Sequence, residues 1–583
     1  MHSDCLLLFL LKIHFEMEKR WEFIPAGEPN LVKKIGDALT IEPTIANLLI
    51  QRGISDFDTA KIFFRPEITS LHNPFLMKGM EKAISRMEKA IEAGEKILIY
   101  GDYDVDGTTA VALLYSFLNS FYANIDYYIP DRYNEGYGIS FQGIDYAYTN
   151  SFSLIIALDC GIKSNDKVDY ANNKNIDFII CDHHLPGAII PDAVAVLDPK
   201  QADCAYPFKE LSGCGIGFKL IQAYAEKNKI AFENLYQYLD LTAISIGSDI
   251  VPITDENRTL AYFGLKEINS KPRPGIKAIL ELTNVKKELS ITDLVFIVGP
   301  RINAAGRIAS GKNAVKLLLT QTTEEAQSSG LLINANNTER KGLDAEITQQ
   351  ALEIIKNSEL LLKSKTTVLF DKEWHKGVIG IVASRLIETH YRPTILLAES
   401  NGKATGSARS VKDFDVHEAI SACSDLLEQF GGHKYAAGLT LKLENIEAFK
   451  QRFEQVVSET IEDNLLIPKI EIDSPLLLKE ITPKFQRIIK QFAPFGPGNM
   501  APVFSSYELK DKGNAKIVGS NHLKMEVFSN ENPELSFSAI GFNLGQHIDL
   551  IQQGKLFNIC YAIEENEWNG KKTIQLNIKD LTF

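Results

Sequence analysis

The sequence predicts an α/β chain: a parallel-sheet domain, joined by a long helix to a second α/β domain, followed by a C-terminal all-β barrel. Three observations carry this expectation. Unbroken apolar runs alternate with helical segments through the first half, the pattern of a parallel sheet covered on both faces. From about 312 to 363 the chain contains few helix breakers. After Leu466 short alternating segments follow one another between Gly, Asn and Pro turns, which suits a small closed barrel. At 583 residues the chain exceeds one core and implies roughly three or four domains. The segments read as 1–16, a non-native extension before a natural start at Met17; 17–80, helical; 81–311, the parallel-sheet domain; 312–363, the connector; 364–465, the second α/β domain; and 466–583, the barrel.

Composition narrows the class. Hydrophobic residues make up 45% and charged residues 23%, ordinary for a globular protein. The net charge of −13 argues against indiscriminate binding to nucleic acid, yet it permits a local basic groove. Seven cysteines without a C-x-x-C pair exclude a zinc ribbon and a disulfide framework, and fit a reducing, cytoplasmic setting. The apolar run near the amino terminus, about ten residues, is too short to span a bilayer. It also lacks the small-residue cleavage site of a signal peptide, so no membrane association is expected.

The elements follow in order. "IANLLIQRGI" and "MEKAISRMEKAIEAGEK" place apolar residues three and four apart, and residues 17–90 read as helical with a stop at Gly94. Ile97–Tyr100 is a strand running into "GDYDVDG", and Ala110–Leu118 is a buried helix. Asp102, Asp104 and Asp106 crowd into that turn, and three carboxylates so close repel one another unless a cation joins them. Leu113 stands where a calcium loop of the EF-hand type requires a glutamate, which excludes that motif. "SLIIALDCG" puts Asp159 directly after a strand. "IDFIICDHHLP" does the same for Asp182, His183 and His184, and "AVAVLDP" for Asp198. These groups converge at one edge of the sheet, where open α/β folds bind their ligands.

A helix, Leu239–Gly247, leads to Asp249 in "GSDIVPIT", which by itself reads as a turn residue. "FIVGPRINAAGRIASG" sets Arg301 and Arg307 among small residues, a loop suited either to bidentate phosphate binding or to plain solvation. "SGCGIGF" follows no clear strand and completes no G-x-x-G, so a dinucleotide site is rejected. Beyond residue 364, "TTVLFDKEWHKGVIGIVASRLIETH", "RPTILLAES" and "KATGSARSV" give a second αβ unit, and "GGHKYAAGLTLK" a Gly-Gly-His loop entering a strand. Among small barrels the oligonucleotide-binding fold fits the closing strands best.

Several aspartates with one imidazole form a hard, oxygen-rich ligand set that favours Mn²⁺ or Mg²⁺ over thiolate-bound zinc. Two such ions, with arginines for phosphate, constitute a metal-dependent phosphodiesterase. Cys160 and Cys181 read as small buried neighbours rather than ligands.

"GDYDVDG", "ALDCG", "CDHH", "GSDIVP" and "GPRINAAGR", in this order, resemble the DHH phosphoesterases. "EWHKGVIGIVASRL", "GSARS" and "GGHKYAAG" are similar to the DHH-associated domain of that family, and "FAPFGPGNMAPVF" to the entry of an oligonucleotide-binding domain. The resemblance implies a 5′→3′ exonuclease that degrades single-stranded DNA to mononucleotides in recombination and repair. The alternative is a phosphodiesterase of short oligonucleotides or cyclic dinucleotides. By position it implies Asp104, Asp106, Asp159, His183 and Asp249 as ligands of two Mn²⁺ or Mg²⁺ ions, with Asp159 bridging and Asp102 as ligand or support. Asp182 would orient its neighbours and His184 would contact the scissile phosphate. Arg132, Arg301, Asn303, Arg307, Ser407, Arg409 and His433 would bind the strand. A single-stranded-DNA-binding protein and a helicase are the implied partners of a monomer. Ser248 and Met500 depart from the family's usual alanine and proline, and neither change removes a charge or a ligand.

Overall fold

The computed structural model describes residues 18–568 and 570–583, so the expectation for residues 1–16 lies outside the described residues. The chain divides into two compact units. One holds Asp56–Arg340 with Gln491–Ala501; the other holds the described residues up to Ser55, with Lys341–Lys490 and Pro502–Phe583.

The region before the parallel sheet is not wholly helical. Its first element is a strand, β1 (Arg20–Phe23), before the helices Pro29–Leu39, Pro43–Gln51, Phe57–Phe64 and Met80–Glu92. The Trp21 and Phe23 alternation within "RWEF" is too short to register as a strand until a distant partner supplies its hydrogen bonds.

In the first unit β2 (Lys96–Gly101), β3 (Ile125–Tyr128), β4 (Phe152–Leu158), β5 (Asp177–Cys181) and β6 (Ala195–Leu197) form an all-parallel sheet in the order β3-β2-β4-β5-β6. Alternate residues feed two cores. Ile97, Ile99, Ile156 and Ile179 pack on one face; Leu98, Tyr100, Ile155 and Ile180 pack on the other. Burial on both faces explains why these strands read as continuous apolar runs. The helix Val105–Asn119 follows β2 and begins earlier than its apolar run, because the Asp104 side chain caps it by accepting from Gly107 N. The helix Leu239–Ser248 packs beside it, beside Gly213–Lys227 and against Asp255–Ser270.

Two expectations are corrected here. The Arg301–Arg307 stretch is no loop: it forms the helix Gly299–Ile308, entered through a π-turn at Leu294–Val298. Its small residues serve close packing instead of loop freedom, since a Cβ on Gly306 would lie 2.5 Å from the Tyr103 carbonyl oxygen. The connector is also interrupted, with Gly311–Leu319 ending before Thr323–Lys356 and Glu359–Lys363.

In the second unit β7 (Thr367–Asp371), β8 (Thr394–Ser400), β9 (Lys403–Arg409), β10 (Gln429–His433) and β11 (Ala436–Lys442) form a mixed sheet ordered β10-β11-β9-β8-β7. Gly-Gly-His therefore ends a strand rather than forming a loop, with β10 and β11 making a hairpin. The pair β1 and β12 (Lys469–Ile472) is parallel. The barrel begins after β13 (Ser474–Pro475) with β14 (Phe504–Asp511). It continues through β15 (Lys516–Val518), β16 (His522–Ser529), β17 (Asn532–Gly541), β18 (Phe557–Trp568) and β19 (Lys571–Thr582). Strands run β14-β18-β19-β17-β16, and a further β14–β16 pairing closes the ring, as an oligonucleotide-binding fold requires. No helix among the described residues is long and apolar enough to cross a membrane.

Candidate active site

The loops leaving β2, β4 and β5 carry the sequence-marked groups to one edge of the parallel sheet. His183 is their meeting point. Its Nε2 lies 3.2 Å from Asp159 Oδ1, 3.6 Å from Asp249 Oδ2 and 3.8 Å from Asp106 Oδ2. Two sets of ligand atoms each fall within 4.8 Å: Asp106, His183 and Asp249, and Asp159, His183 and His184.

Each carboxylate is fixed differently. Asp106 accepts from the amides of Gly213 and Cys214 and from the Ser245 hydroxyl, all at 2.7 Å. Those amides open the helix Gly213–Lys227, whose N-terminus favours a negative charge. The glycines of "SGCGIGF" thus serve a carboxylate instead of a nucleotide. Gly213 is required by proximity, since a Cβ there would sit 2.5 Å from Asp159 Cβ. Asp159 itself adopts a left-handed backbone, φ 60°, a costly conformation for a non-glycine residue that clusters at functional sites. Asp104 Oδ1 takes the Gly107 amide. Asp102 Oδ1 takes the Gly138 amide at 3.0 Å, tying down the loop that carries Arg132 and Tyr137.

Burial, and after it the neighbouring carboxylates, push Asp102, Asp104, Asp159 and Asp249 above the usual carboxylate range. Burial likewise lowers His183, against the pull of Asp106. Both His183 ring nitrogens and Asp159 Oδ2 are buried without a hydrogen-bond partner. Orphaned acceptors beside crowded carboxylates are what a divalent cation would satisfy. The oxygen-rich set with one imidazole fits Mn²⁺ or Mg²⁺.

Asp182 behaves in the opposite way. Burial opposes its charge, but the His184 imidazole and the Ile162 amide hold it at about 2. Its Oδ1 also accepts from the amides of His183 and His184. His184 Nδ1 lies 2.7 Å from that oxygen, and although burial works against it, this carboxylate raises the imidazole to about 9. His184 Nε2 meets the Tyr137 hydroxyl at 3.1 Å. Tyr137 escaped the sequence reading, as did Ser245. One tyrosine among 20 carries no spacing signal, and a serine in an apolar helix resembles core.

Around this cluster the structure separates the arginines. The Arg132 guanidinium lies over the Tyr103 ring at 4.7 Å, and Tyr133 donates to the Arg307 carbonyl. The charges of Arg132 and Arg307 both act on Tyr103, which precedes Asp104. Arg301 turns away, donating to Ile297 O (2.7 Å) and Asn334 Oδ1 (3.1 Å); burial, then Arg340, lowers its pKa. Asn303 Oδ1 is buried without a hydrogen-bond partner.

The second unit gathers its own group. Ser407 and Arg409 share one face of β9, and Ala436 of β11 stands between Arg409 and His433 of β10. Arg409 Nη1 reaches Ser407 Oγ at 3.1 Å. Gly380, at the start of helix Ile379–Thr389, faces them; a Cβ there would lie 2.7 Å from Ser407 Oγ. A hydroxyl, a guanidinium and a helix N-terminus are chemically suited to receive an anion.

Known proteins place these features in one lineage. The chain matches the DHH family N-terminal domain over residues 96–246, the DHHA1 domain over 363–459 and the RecJ OB domain over 472–580. It is 37% identical to the single-stranded-DNA-specific exonuclease RecJ of Bacillus subtilis, over 96% of this chain and 70% of that one. Its identity to the Escherichia coli protein of the same name is 34%, covering 87% and 90%. Among solved structures, RecJ of Thermus thermophilus in complex with Mn²⁺ superposes with a TM-score of 0.83 at 26% identity, covering 97% of this chain and 79% of that one. Its complex with Mg²⁺ gives 0.76, covering 96% and 78%. With these three domains in order and identity above a third along nearly its whole length, the chain belongs to the RecJ family of DHH proteins.

Proposed function

We infer that the chain degrades single-stranded DNA from its 5′ end by metal-dependent phosphodiester hydrolysis, releasing 5′-mononucleotides in recombination and repair. The observation that carries the reading is the convergence of Asp106, Asp159 and Asp249 on His183, with buried ligand atoms left unsatisfied. Asp106, Asp159, His183 and Asp249, with Asp104 beside them, would hold two Mn²⁺ or Mg²⁺ ions, and Asp102 would support the loop after β2. When bound, the ions polarise the phosphoryl group and acidify the attacking water.

The remaining work belongs to the side chains. His184, kept cationic by Asp182, presents an N–H to a phosphoryl oxygen where negative charge develops. Tyr137 holds that imidazole in position until substrate arrives. Arg132, Arg307 and Asn303 bind backbone phosphates near Tyr103, Ser407 and Arg409 receive the 5′ phosphate, and His433 touches the strand beside the cut. Arg301 is a weaker candidate for that role, since its donors are engaged by Ile297 and Asn334. A closed oligonucleotide-binding barrel suits a long single strand and has no evident use for a dinucleotide.

The reading places the chain in the cytoplasm, as a monomer acting with a helicase and a single-stranded-DNA-binding protein. The six cysteines among the described residues are free and buried, which supports a reducing compartment. The test is digestion of end-labelled single- and double-stranded DNA, with and without a 5′ phosphate, in Mn²⁺, Mg²⁺ and EDTA. Mononucleotides should accumulate from long single strands only, and only with metal. Asp159→Ala should lower turnover by roughly 10⁴-fold. Cleavage confined to di- or short oligonucleotides would favour the other branch of the DHH enzymes.

A further inference from the structure

The segment Gln491–Ala501 sits in sequence between Lys490 and Pro502 of the second unit, yet it belongs to the unit that carries the carboxylates. One buried side chain grips its backbone. Arg258, on the helix Asp255–Ser270, donates through Nη1 to the Phe492 carbonyl (2.8 Å) and through Nη2 to the carbonyls of Ala493 and Phe63 (both 2.9 Å). Its guanidinium also lies 3.9 Å over the Phe63 ring. Asn499 closes the segment on itself, donating through Nδ2 to Phe492 O (2.8 Å) and Pro494 O (2.9 Å).

The other side of this strap rests on Ile253 and Thr254, four and five residues after Asp249. The Ile253 amide donates to the Pro497 carbonyl at 2.7 Å. A Cβ on Gly496 would lie 2.5 Å from Ile253 Cγ1. On Gly498, which has φ +73°, it would lie 2.9 Å from Thr254 Cγ2. Only glycine allows so close an approach at both places.

Asp249, like Asp159, is a ligand candidate whose carboxylate no backbone amide holds among the described residues. Asp106, Asp104 and Asp182 each accept at least one backbone amide. The Asp249 carboxylate accepts no hydrogen bond among the described residues and faces His183 at 3.6 Å. With no amide to hold the carboxylate, the backbone on either side of Asp249 carries much of its positioning. Before it stands the helix Leu239–Ser248; after it comes the loop 250–254, in which Ile250 is left-handed at φ 60°.

We propose that Arg258, Asn499 and the strap Gln491–Ala501 are a positioning device for Asp249, which fixes the loop 250–254 and so sets the affinity of the centre for a divalent cation. This rests on the metal-site reading above. The device touches no ligand atom, so its removal changes cation affinity while leaving the strand-binding residues as they are.

The test is calorimetric titration of Mn²⁺ into the full chain without DNA, for wild type, Gly498→Ala, Asp249→Ala and the double variant. Gly498→Ala should weaken Mn²⁺ binding about ten- to hundredfold and add nothing further in the Asp249→Ala background. Its turnover of 5′-phosphorylated single strands should fall at low Mn²⁺ and recover at high Mn²⁺, with KM for the strand unchanged. Unaltered Mn²⁺ binding, or a loss that adds in full to that of Asp249→Ala, overturns the proposal. If Gly498→Ala fails to fold, Asn499→Ala loosens the same segment without adding an atom and is read by the same criteria. A wild-type chain that takes up no Mn²⁺ would instead sink the metal-site reading, a result distinct from either strap outcome.

Discussion

Asp182 and His184 show how one pair can be set apart from its surroundings. Four carboxylates at this sheet edge are pushed upward by burial and mutual repulsion, whereas Asp182 is held at about 2 because four donors converge on it. Its charge in turn raises His184 to about 9. Removing that charge must move His184 downward, since the cation loses its nearest anion while burial still opposes it. In chelated protein, an NMR titration should therefore show His184 losing its proton near pH 9 in the wild type. In Asp182→Asn it should titrate lower by about 1–3 units. An unshifted His184 would mean that Asp182 only anchors the backbone. Tyr137→Phe tests the opposite side of the ring. It should leave folding intact and lower turnover, because the imidazole loses the hydroxyl that orients its Nε2.

At the scale of elements, the helix Gly213–Lys227 links function to stability. Its first turn supplies two amides to Asp106, and its middle carries Lys219, wholly buried and 2.9 Å from Glu256 Oε1. Glu256 also accepts from the Tyr206 hydroxyl and the His72 amide, and Lys219 donates to the His72 carbonyl. Desolvation lowers the Lys219 pKa against the pull of Glu256. Breaking one side leaves an uncompensated buried charge, so Lys219→Met should cost about 3–5 kcal/mol in denaturant unfolding. Lys219→Met/Glu256→Gln should cost less. This helix also marks the limit of what the sequence disclosed. Asp102, Asp104, Asp106, Asp159 and His183 were legible as neighbours because each follows a strand whose apolar run announces it, and topology brings such ends to one edge. Asp249 by itself read as a turn residue and joined them only through the family resemblance. The supports were not legible. Gly213 and Ser245 act through contacts across more than 100 residues, and nothing in local periodicity distinguishes an amide that caps a carboxylate from one that opens any helix. The setting of the Arg301 guanidinium was not legible for the same reason: its partner Asn334 lies on another helix.

For the whole molecule, two compact units with separate cores imply two unfolding transitions, and only one of the units carries the carboxylate centre. Asp102, Asp104, Asp159 and Asp249 have raised values when folded, so each retains a proton that the unfolded chain has already released. The stability they contribute is complete below the unfolded value of about 3.9 and is lost as pH rises through the folded one. In EDTA the unit Asp56–Arg340 should accordingly lose its acid-side advantage toward neutral pH. A cation binds the charged carboxylates and competes with those protons, so its stabilising effect should grow as pH rises from 5 to 8. At a free Mn²⁺ concentration about 100 times the dissociation constant, the gain is about 2.7 kcal/mol, which corresponds to a rise of about 5 °C in Tm for a unit of this size. Scanning calorimetry should show one of the two transitions moving by that amount at neutral pH, by less at pH 5, and not at all in Asp159→Ala. Equal movement of both transitions, or a larger shift in acid than at neutral pH, would mean that the buried carboxylates are not where the cation binds.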